Sequence, residues 1–186
     1  MERVIIDTDP GIDDAMAIFL AASVPEKISI EALTTVNGNT DIHNATQNAF
    51  TILKICERED IPVYRGRSEP LSRKAVSCES SHGDDGLGNI EVDKAEILLQ
   101  KETAEEYMVR AAEENKGMLT LMPIGPLTNI AGAVLKDENF AKNIKKVVLM
   151  GGAEHCGNMS PTAEFNFWFD PEAAKIVFEA GFKEII

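Results

Sequence analysis

Apolar residues fall into two alternating rhythms along the chain. Short dense runs, Val4-Ile5-Ile6, then 28–36 with its Ile, Leu, Thr and Val, then Pro62-Val63-Tyr64, read as strands, the first buried on both faces. Between them, 13–23 (DDAMAIFLAAS) is rich in helix formers, and in 43–57 Ala45, Ala49, Ile52, Leu53 and Cys56 recur at helical spacing. From 65 to 91 the pattern breaks into a polar, Gly-containing stretch longer than an ordinary connection, and such loops are usually functional or mobile. Helix then returns over 103–115, opened by the capping-box pattern Thr103-x-x-Glu106. A strand over 118–124, a helix over 127–135 and a strand over 146–150 follow. Asp170-Pro171-Glu172 opens a further helix with Asp as N-cap and Pro at the first helical position. Lys183-Glu184-Ile185-Ile186 begins one more strand, where the chain stops. Strands alternating with helices predict an α/β fold: a doubly wound, mostly parallel sheet with helices on both faces. Ligands in such sheets bind beyond the carboxyl ends of the strands.

A chain of 186 residues predicts one domain, 1–186, large enough to bury a core without disulfides. Apolar residues make up 44% and charged residues 26%, which is globular usage and excludes a disordered tail. Eighteen Lys and Arg against 31 Asp and Glu give a net charge of −13. A surface this acidic repels phosphate backbones and anionic lipid, so cations and neutral small molecules are the expected partners, not nucleic acid or membranes. No apolar run approaches the ~20 residues that cross a bilayer, and Met1-Glu2-Arg3 leads into the first strand without a signal-peptide pattern. Cys56, Cys78 and Cys156 are odd in number and form no C-x-x-C pair, which fits free thiols in a reducing cytoplasm.

The sharpest chemistry lies in Asp7-Thr8-Asp9-Pro10-Gly11-Ile12-Asp13-Asp14: four carboxylates in eight residues, between a buried strand and a helix. With a period of two, Asp7 and Asp9 share a direction, and the Pro10-Gly11 turn returns Asp13 and Asp14 toward them. Two like charges about 4 Å apart cost roughly 4 kcal/mol at an effective dielectric of 20, so the cluster needs protons or a cation. Oxygen-only ligands suit Ca²⁺ or Mg²⁺ better than zinc. Complementing the dipole of the following helix would account for Asp13 and Asp14 but leaves Asp7 and Asp9 unexplained. An EF-hand does not fit, because Gly11 and Ile18 stand where that loop requires oxygen ligands.

This segment resembles the N-terminal signature of the inosine-uridine preferring nucleoside hydrolases. Further stretches agree in the family's order: Thr34-Thr35-Val36-Asn37-Gly38-Asn39, Gly125-Pro126-Leu127-Thr128-Asn129-Ile130, Met150-Gly151-Gly152, Gly157-Asn158, Ala163-Glu164-Phe165-Asn166 and Asp170-Pro171-Glu172-Ala173-Ala174. The resemblance covers essentially the whole chain. It implies hydrolysis of the N-glycosidic bond of purine or pyrimidine ribonucleosides, with water activated at a tightly bound Ca²⁺, in ribonucleoside catabolism and purine salvage. It implies that Asp9 and Asp14 ligate the ion with the backbone carbonyl of Ile124, that Asp7 supports it, and that Asp9 also accepts the proton of the attacking water. Asp13, Asn39, Asn158, Glu164 and Asn166 match positions that hold ribose hydroxyls, Met150 matches a ribose contact, and His82 matches a mobile loop near the sugar. Relatives are usually oligomeric, which leaves a homo-oligomer open.

The chemistry agrees with the residue types. Departure of the base leaves positive charge on the ribose ring, which a carboxylate-rich pocket stabilises more than it stabilises neutral substrate. Each supporting motif also has a plainer reading. Asn37-Gly38-Asn39 and Gly125-Pro126 make good turns. His43 reads as a helix-start residue, and adjacent His155-Cys156 do not define a nucleophile–base geometry. Family members are longer and carry a late His-Asp pair that completes the metal site and approaches the leaving base. The histidines here are His43, His82 and His155, so a C-terminally truncated domain is expected, with weaker Ca²⁺ binding and poor hydrolysis on its own. Two other readings compete: an inactive metal- and ribose-binding module, and a Mg²⁺ phosphohydrolase of the haloacid dehalogenase type, whose Asp-x-Asp also follows a first strand but expects Thr or Val where Gly11 stands.

Overall fold

The structure, a computed structural model, describes residues 1–75 and 82–186; Cys78 lies outside the described residues. Five strands, β1 (Glu2–Thr8), β2 (Ile28–Thr35), β3 (Val63–Arg65), β4 (Leu119–Pro123) and β5 (Lys146–Val147), pair in parallel in the order β3-β2-β1-β4-β5. Among the described residues the helices are α1 (Ile12–Ala22), α2 (Ile42–Ile55), α3 (Ala104–Glu114), α4 (Thr128–Lys136), α5 (Phe140–Asn143), α6 (Phe165–Phe169) and α7 (Pro171–Glu179). The expected doubly wound α/β sheet is therefore present.

Central β1 shows why its apolar run is continuous rather than alternating. Val4 and Ile6 point into a core with Ala15 and Ile18 of α1 and Ala49, Ile52 and Leu53 of α2. Ile5 points into the opposite core, with Met108 of α3, Ile130 of α4 and Val177 of α7. A strand covered by helices on both faces reads as a near-continuous apolar run through its middle, here Val4-Ile5-Ile6.

Caps fix the helix starts. Asp41 accepts from the amides of His43 (2.7 Å) and Asn44 (2.9 Å), so α2 begins one residue before His43. Thr103 and Glu106 form the expected capping box on α3. Asp170 caps α7 with Pro171 at its first position. Two short helices, α5 and α6, were not expected, because four or five residues are too few to display a period. The strand expected over 146–150 is regular only at Lys146–Val147. Its ladder continues nonetheless, with Val148 donating to Leu121 and Met150 to Pro123. On its far side Val147 bridges Ile185 in parallel, the strand start expected at Lys183-Glu184-Ile185-Ile186.

Beyond β3, residues 66–75 and 83–103 are irregular. The later part lies against α2 and β3: Ala95 accepts from Gln47 (2.9 Å), Asp93 pairs with Lys54 (2.6 Å), and the Gln100 amide reaches the Val63 carbonyl (3.5 Å). A strap of this kind covers the edge of β3 that would otherwise offer unpaired backbone.

The strand order positions the site. From β1 the chain moves outward through β2 and β3, then returns to the other side of β1 for β4. The connections after β1 and β4 therefore diverge and leave a crevice at their carboxyl ends. Asp7 stands opposite Thr34 of β2 and Pro123 of β4 at that edge.

Candidate active site

Asp9, just past the end of β1, is wholly buried. Its Oδ2 accepts from the Asn39 amide (2.6 Å), while Oδ1 has no hydrogen-bond partner. Two glycines make the slot it occupies. A Cβ on Gly38 would fall 2.0 Å from Asp9 Oδ2, and one on Gly125 would fall 2.4 Å from Oδ1. The turns read in Asn37-Gly38-Asn39 and Gly125-Pro126 are therefore present for a second reason: they let two backbone segments close on one carboxylate.

Asp14, in the first turn of α1, is held at both oxygens. Oδ1 accepts from the Thr8 hydroxyl (2.7 Å), and Oδ2 from the Gly11 amide (3.1 Å) and Asn39 Nδ2 (3.2 Å). Asn39 also donates to the Asp9 carbonyl (3.3 Å), so one amide ties the strand end to the helix start. Burial pushes the Asp9 carboxyl well above the usual carboxylate range, and the charge of Asp14 pushes it the same way. Burial likewise raises Asp14 to about 6, against the lowering effect of the Thr8 hydroxyl and the Gly11 amide.

Asp7 lies behind this pair in a separate buried network. Its Oδ1 accepts from the Thr34 hydroxyl (2.5 Å) and Asn129 Nδ2 (2.8 Å), Oδ2 has no partner, and burial raises its pKa to about 7. Asn129 donates again to the Thr35 carbonyl (2.9 Å) and accepts from the Arg67 amide (2.9 Å), so it joins the ends of β1, β2 and β3 to the start of α4. Residue types and spacing gave no sign of this role, since its partners lie on β1, on β2 and on the segment just past β3.

The cleft above Asp9 has a volume of about 160 Å³ and is lined by Asp13, Asp14, Asn39, His82, Ile124, Met150, Asn158, Glu164 and Asn166, with Met159 and Phe165. Every residue expected to contact ribose therefore faces one cavity, and Met159 and Phe165 join it unanticipated. Asp7 and Asp9 are not on its wall. Glu164 caps α6, accepting from Asn166 (2.8 Å), and also takes the Gly152 amide (2.9 Å), which holds the Met150-Gly151-Gly152 stretch against the cleft. Asn166 Nδ2 donates to the carbonyls of Ile124 (3.0 Å) and Met150 (3.1 Å). His82 Nδ1 accepts from the Ile12 amide (3.3 Å) and lies 3.9 Å from Asp13 Oδ1. That acceptance leaves the proton of the neutral ring on Nε2.

Among the described residues, no group of three or more His, Cys, Asp or Glu side chains is spaced to hold an ion. The pair Asp9 and Asp14 nevertheless fits a hard cation. All its donors are oxygen, one carboxylate oxygen is buried without a partner, and each carboxyl resists ionising where it stands. Ile124 lines the cleft beside Asp14, and its carbonyl is a further oxygen there, accepting from Asn166. Calcium takes six to eight oxygens, so this set alone is short and the balance must come from water, substrate polyol or further chain. Cys56 and Cys156 are free thiols, Cys156 exposed, and neither belongs to the cleft.

Comparison with known proteins places this geometry. The profile of a family described as inosine-uridine preferring nucleoside hydrolase matches residues 4–186. Uridine nucleosidase 1 of Arabidopsis thaliana is 43% identical over 182 residues, covering 97% of this chain and 54% of that protein. A pyrimidine-specific ribonucleoside hydrolase of Shewanella baltica is 40% identical over 179 residues, covering 96% and 56%. Among solved structures, a plant nucleoside hydrolase superposes with a TM-score of 0.92 at 42% identity, covering all of this chain and 59% of that one. A purine-preferring ribonucleoside hydrolase from Gardnerella vaginalis gives 0.94 at 30% identity, covering 99% and 60%. The chain thus spans little more than half the length of the relatives it matches.

Proposed function

We propose that this chain, which belongs to the inosine-uridine preferring nucleoside hydrolase family, carries the ribose-binding and water-activating half of a ribonucleoside N-glycosidase. The observation that carries the reading is the Asp9 carboxylate, buried with one oxygen free and clamped beneath a cleft lined by three carboxylates and three amides. Amides and carboxylates offer donors and acceptors in fixed pairs, which suits the hydroxyls of a sugar. Asp13, Asn39, Asn158, Glu164 and Asn166 would hold those hydroxyls, and the Met150 side chain would pack against the ring. Asp9, whose proton affinity burial has raised, would take the proton of the attacking water. Positive charge growing on the ribose as the base departs would be met by Asp13, Asp14 and Glu164, an interaction stronger in the transition state than with neutral substrate. His82, with its proton on Nε2, would present a donor toward the cleft.

Asp9, Asp14 and the Ile124 carbonyl would hold a Ca²⁺ ion, which when bound supplies positive charge to orient water and the diol. Asp7 would support the pair from behind through Thr34 and Asn129. The family match leaves the phosphohydrolase reading without support. Released base and reducing sugar from uridine and inosine, measured with and without Ca²⁺, test the proposal. Asp9→Asn should abolish both turnover and Ca²⁺ binding while raising the stability of the metal-free chain. Undiminished Ca²⁺ binding by Asp9→Asn would overturn it.

A further inference from the structure

His82 is held by a turn whose anchor lies on a helix outside the cleft. Residues 82–89 close on themselves: the Gly88 amide donates to the His82 carbonyl (2.6 Å) and the Gly86 amide to Gly83 (3.2 Å). Asp85 Oδ1 accepts from the Leu87 (2.8 Å) and Asn89 (3.0 Å) amides, and Asn89 Oδ1 accepts from the Asp84 amide (3.0 Å). Gly83, Gly86, Gly88 and Asn89 all have positive φ, so the turn has a fixed, tightly wound path.

Within that turn the Leu87 side chain packs against the core shared by β1, α1 and α2. The turn's backbone is gripped by Asn48, in the middle of α2 and 4% exposed, whose Nδ2 donates to the Asp85 carbonyl (2.7 Å) and to the Pro10 carbonyl (3.2 Å). One turn earlier on the same helix face, Asn44 Nδ2 reaches the Asp84 carbonyl (3.4 Å). A single amide therefore grips both the turn that carries His82 and the turn that carries Asp9 and Gly11. The fit is close: a Cβ on Gly86 would lie 2.9 Å from Asn48 Nδ2, and one on Gly11 would lie 3.0 Å from His82 Nδ1.

We propose that Asn48 is a positioning residue for His82: by tying the Asp85 carbonyl to the Pro10 carbonyl, it holds the imidazole against the Ile12 amide and so fixes which ring nitrogen faces the cleft with a proton. The Ile12–His82 contact, at 3.3 Å, is weak alone and depends on the turn being pinned. This rests on the reading of the cleft as a ribonucleoside site only for its consequence, not for its geometry.

The test reads the ring directly. In the full chain, ¹⁵N-labelled at histidine and kept in alkaline buffer, wild-type His82 Nδ1 should resonate as an unprotonated acceptor and Nε2 as N–H. Asn48→Ala should collapse both resonances toward the averaged position of a free imidazole, with the sheet amides unshifted. Gly86→Ala, which pushes the turn off from the other side, should do the same without removing Asn48, so the inference remains testable if Asn48→Ala does not fold. Retention of the wild-type tautomer by either folded variant would overturn it. The spectra need no substrate. If the tautomer is lost in the variants while wild type binds no nucleoside, the positioning role stands and the functional reading falls.

Discussion

A methyl group on Gly125 probes the slot around Asp9. Its Cβ would lie 2.4 Å from Asp9 Oδ1, about 1 Å inside the 3.4 Å at which ordinary contact begins. The carboxylate has little room to retreat, because the Gly38 backbone closes on its other oxygen, so tightly that a Cβ built there would fall 2.0 Å from Oδ2. Gly125→Ala must therefore rotate Asp9 out of its slot or part the two backbone segments. Overpacking of this kind costs about 1–3 kcal/mol of stability. The effect on ion binding is larger in proportion, since a shift of roughly 1 Å in a functional group commonly costs about a hundredfold. We expect Ca²⁺ affinity, measured calorimetrically, to fall about a hundredfold, roughly 3 kcal/mol. The melting temperature should drop only a few degrees. Gly38→Ala should behave alike. A folded Gly125→Ala chain with wild-type Ca²⁺ affinity would refute the claim that this slot builds the site, and a wild-type chain that does not bind Ca²⁺ would remove the ion from the proposal.

Other outcomes follow from the same contacts. Asn129→Leu strands the Asp7 carboxylate, the Thr35 carbonyl and the Arg67 amide, so chemical denaturation should register a loss of about 3–5 kcal/mol; a loss under about 1 would count against a joining role. Asp170→Ala removes the α7 cap together with the acceptor of the Leu71 amide (2.9 Å) and Thr128 hydroxyl (2.8 Å). Equilibrium unfolding should register about 2–4 kcal/mol. In the chelated chain, Asp7 and Asp14 have folded pKa values raised to about 7 and about 6 from 3.8, mainly by burial. The folded state then holds protons that the unfolded chain releases, so their stabilisation is complete below pH 3.8 and fades as pH rises to about 7. The full Asp7 shift corresponds to roughly 4 kcal/mol. Stability measured in denaturant should therefore decline across this window, and excess Ca²⁺ should flatten the decline. A chelated chain that gains stability over the same range would contradict the burial argument.

Much was legible beforehand, for reasons tied to particular residues. Val4-Ile5-Ile6 announced a strand covered on both faces, and Asp170-Pro171 and Thr103-x-x-Glu106 announced helix starts. These signals are local, and the structure contains each of them. The eight-residue carboxylate segment located the site at a strand end because alternation of strands and helices already implied where ligands bind. What stayed hidden depends on chain segments far apart. Asn129 meets partners from two strands and the segment after a third, and Asn48 grips carbonyls 38 residues before it and 37 after it. Neither residue differs in sequence from a surface amide. The short helices α5 and α6 escaped for another reason, having too few residues to show a period.

The division follows from the range of the forces. Period, capping and turn chemistry act within a few residues, so the order of elements and the acidic segment at the first strand end were already determined by the linear chain. Whether those acids would share one environment was not. Asp9 and Asp14 share a buried site beside the cleft while Asp7 is turned into a network behind it. That separation exists because β4 returns beside β1, bringing Gly125 onto Asp9 and Asn129 onto Asp7. Burial, which sets the charge state of all three carboxyls, is a property of that packing and of nothing shorter in range.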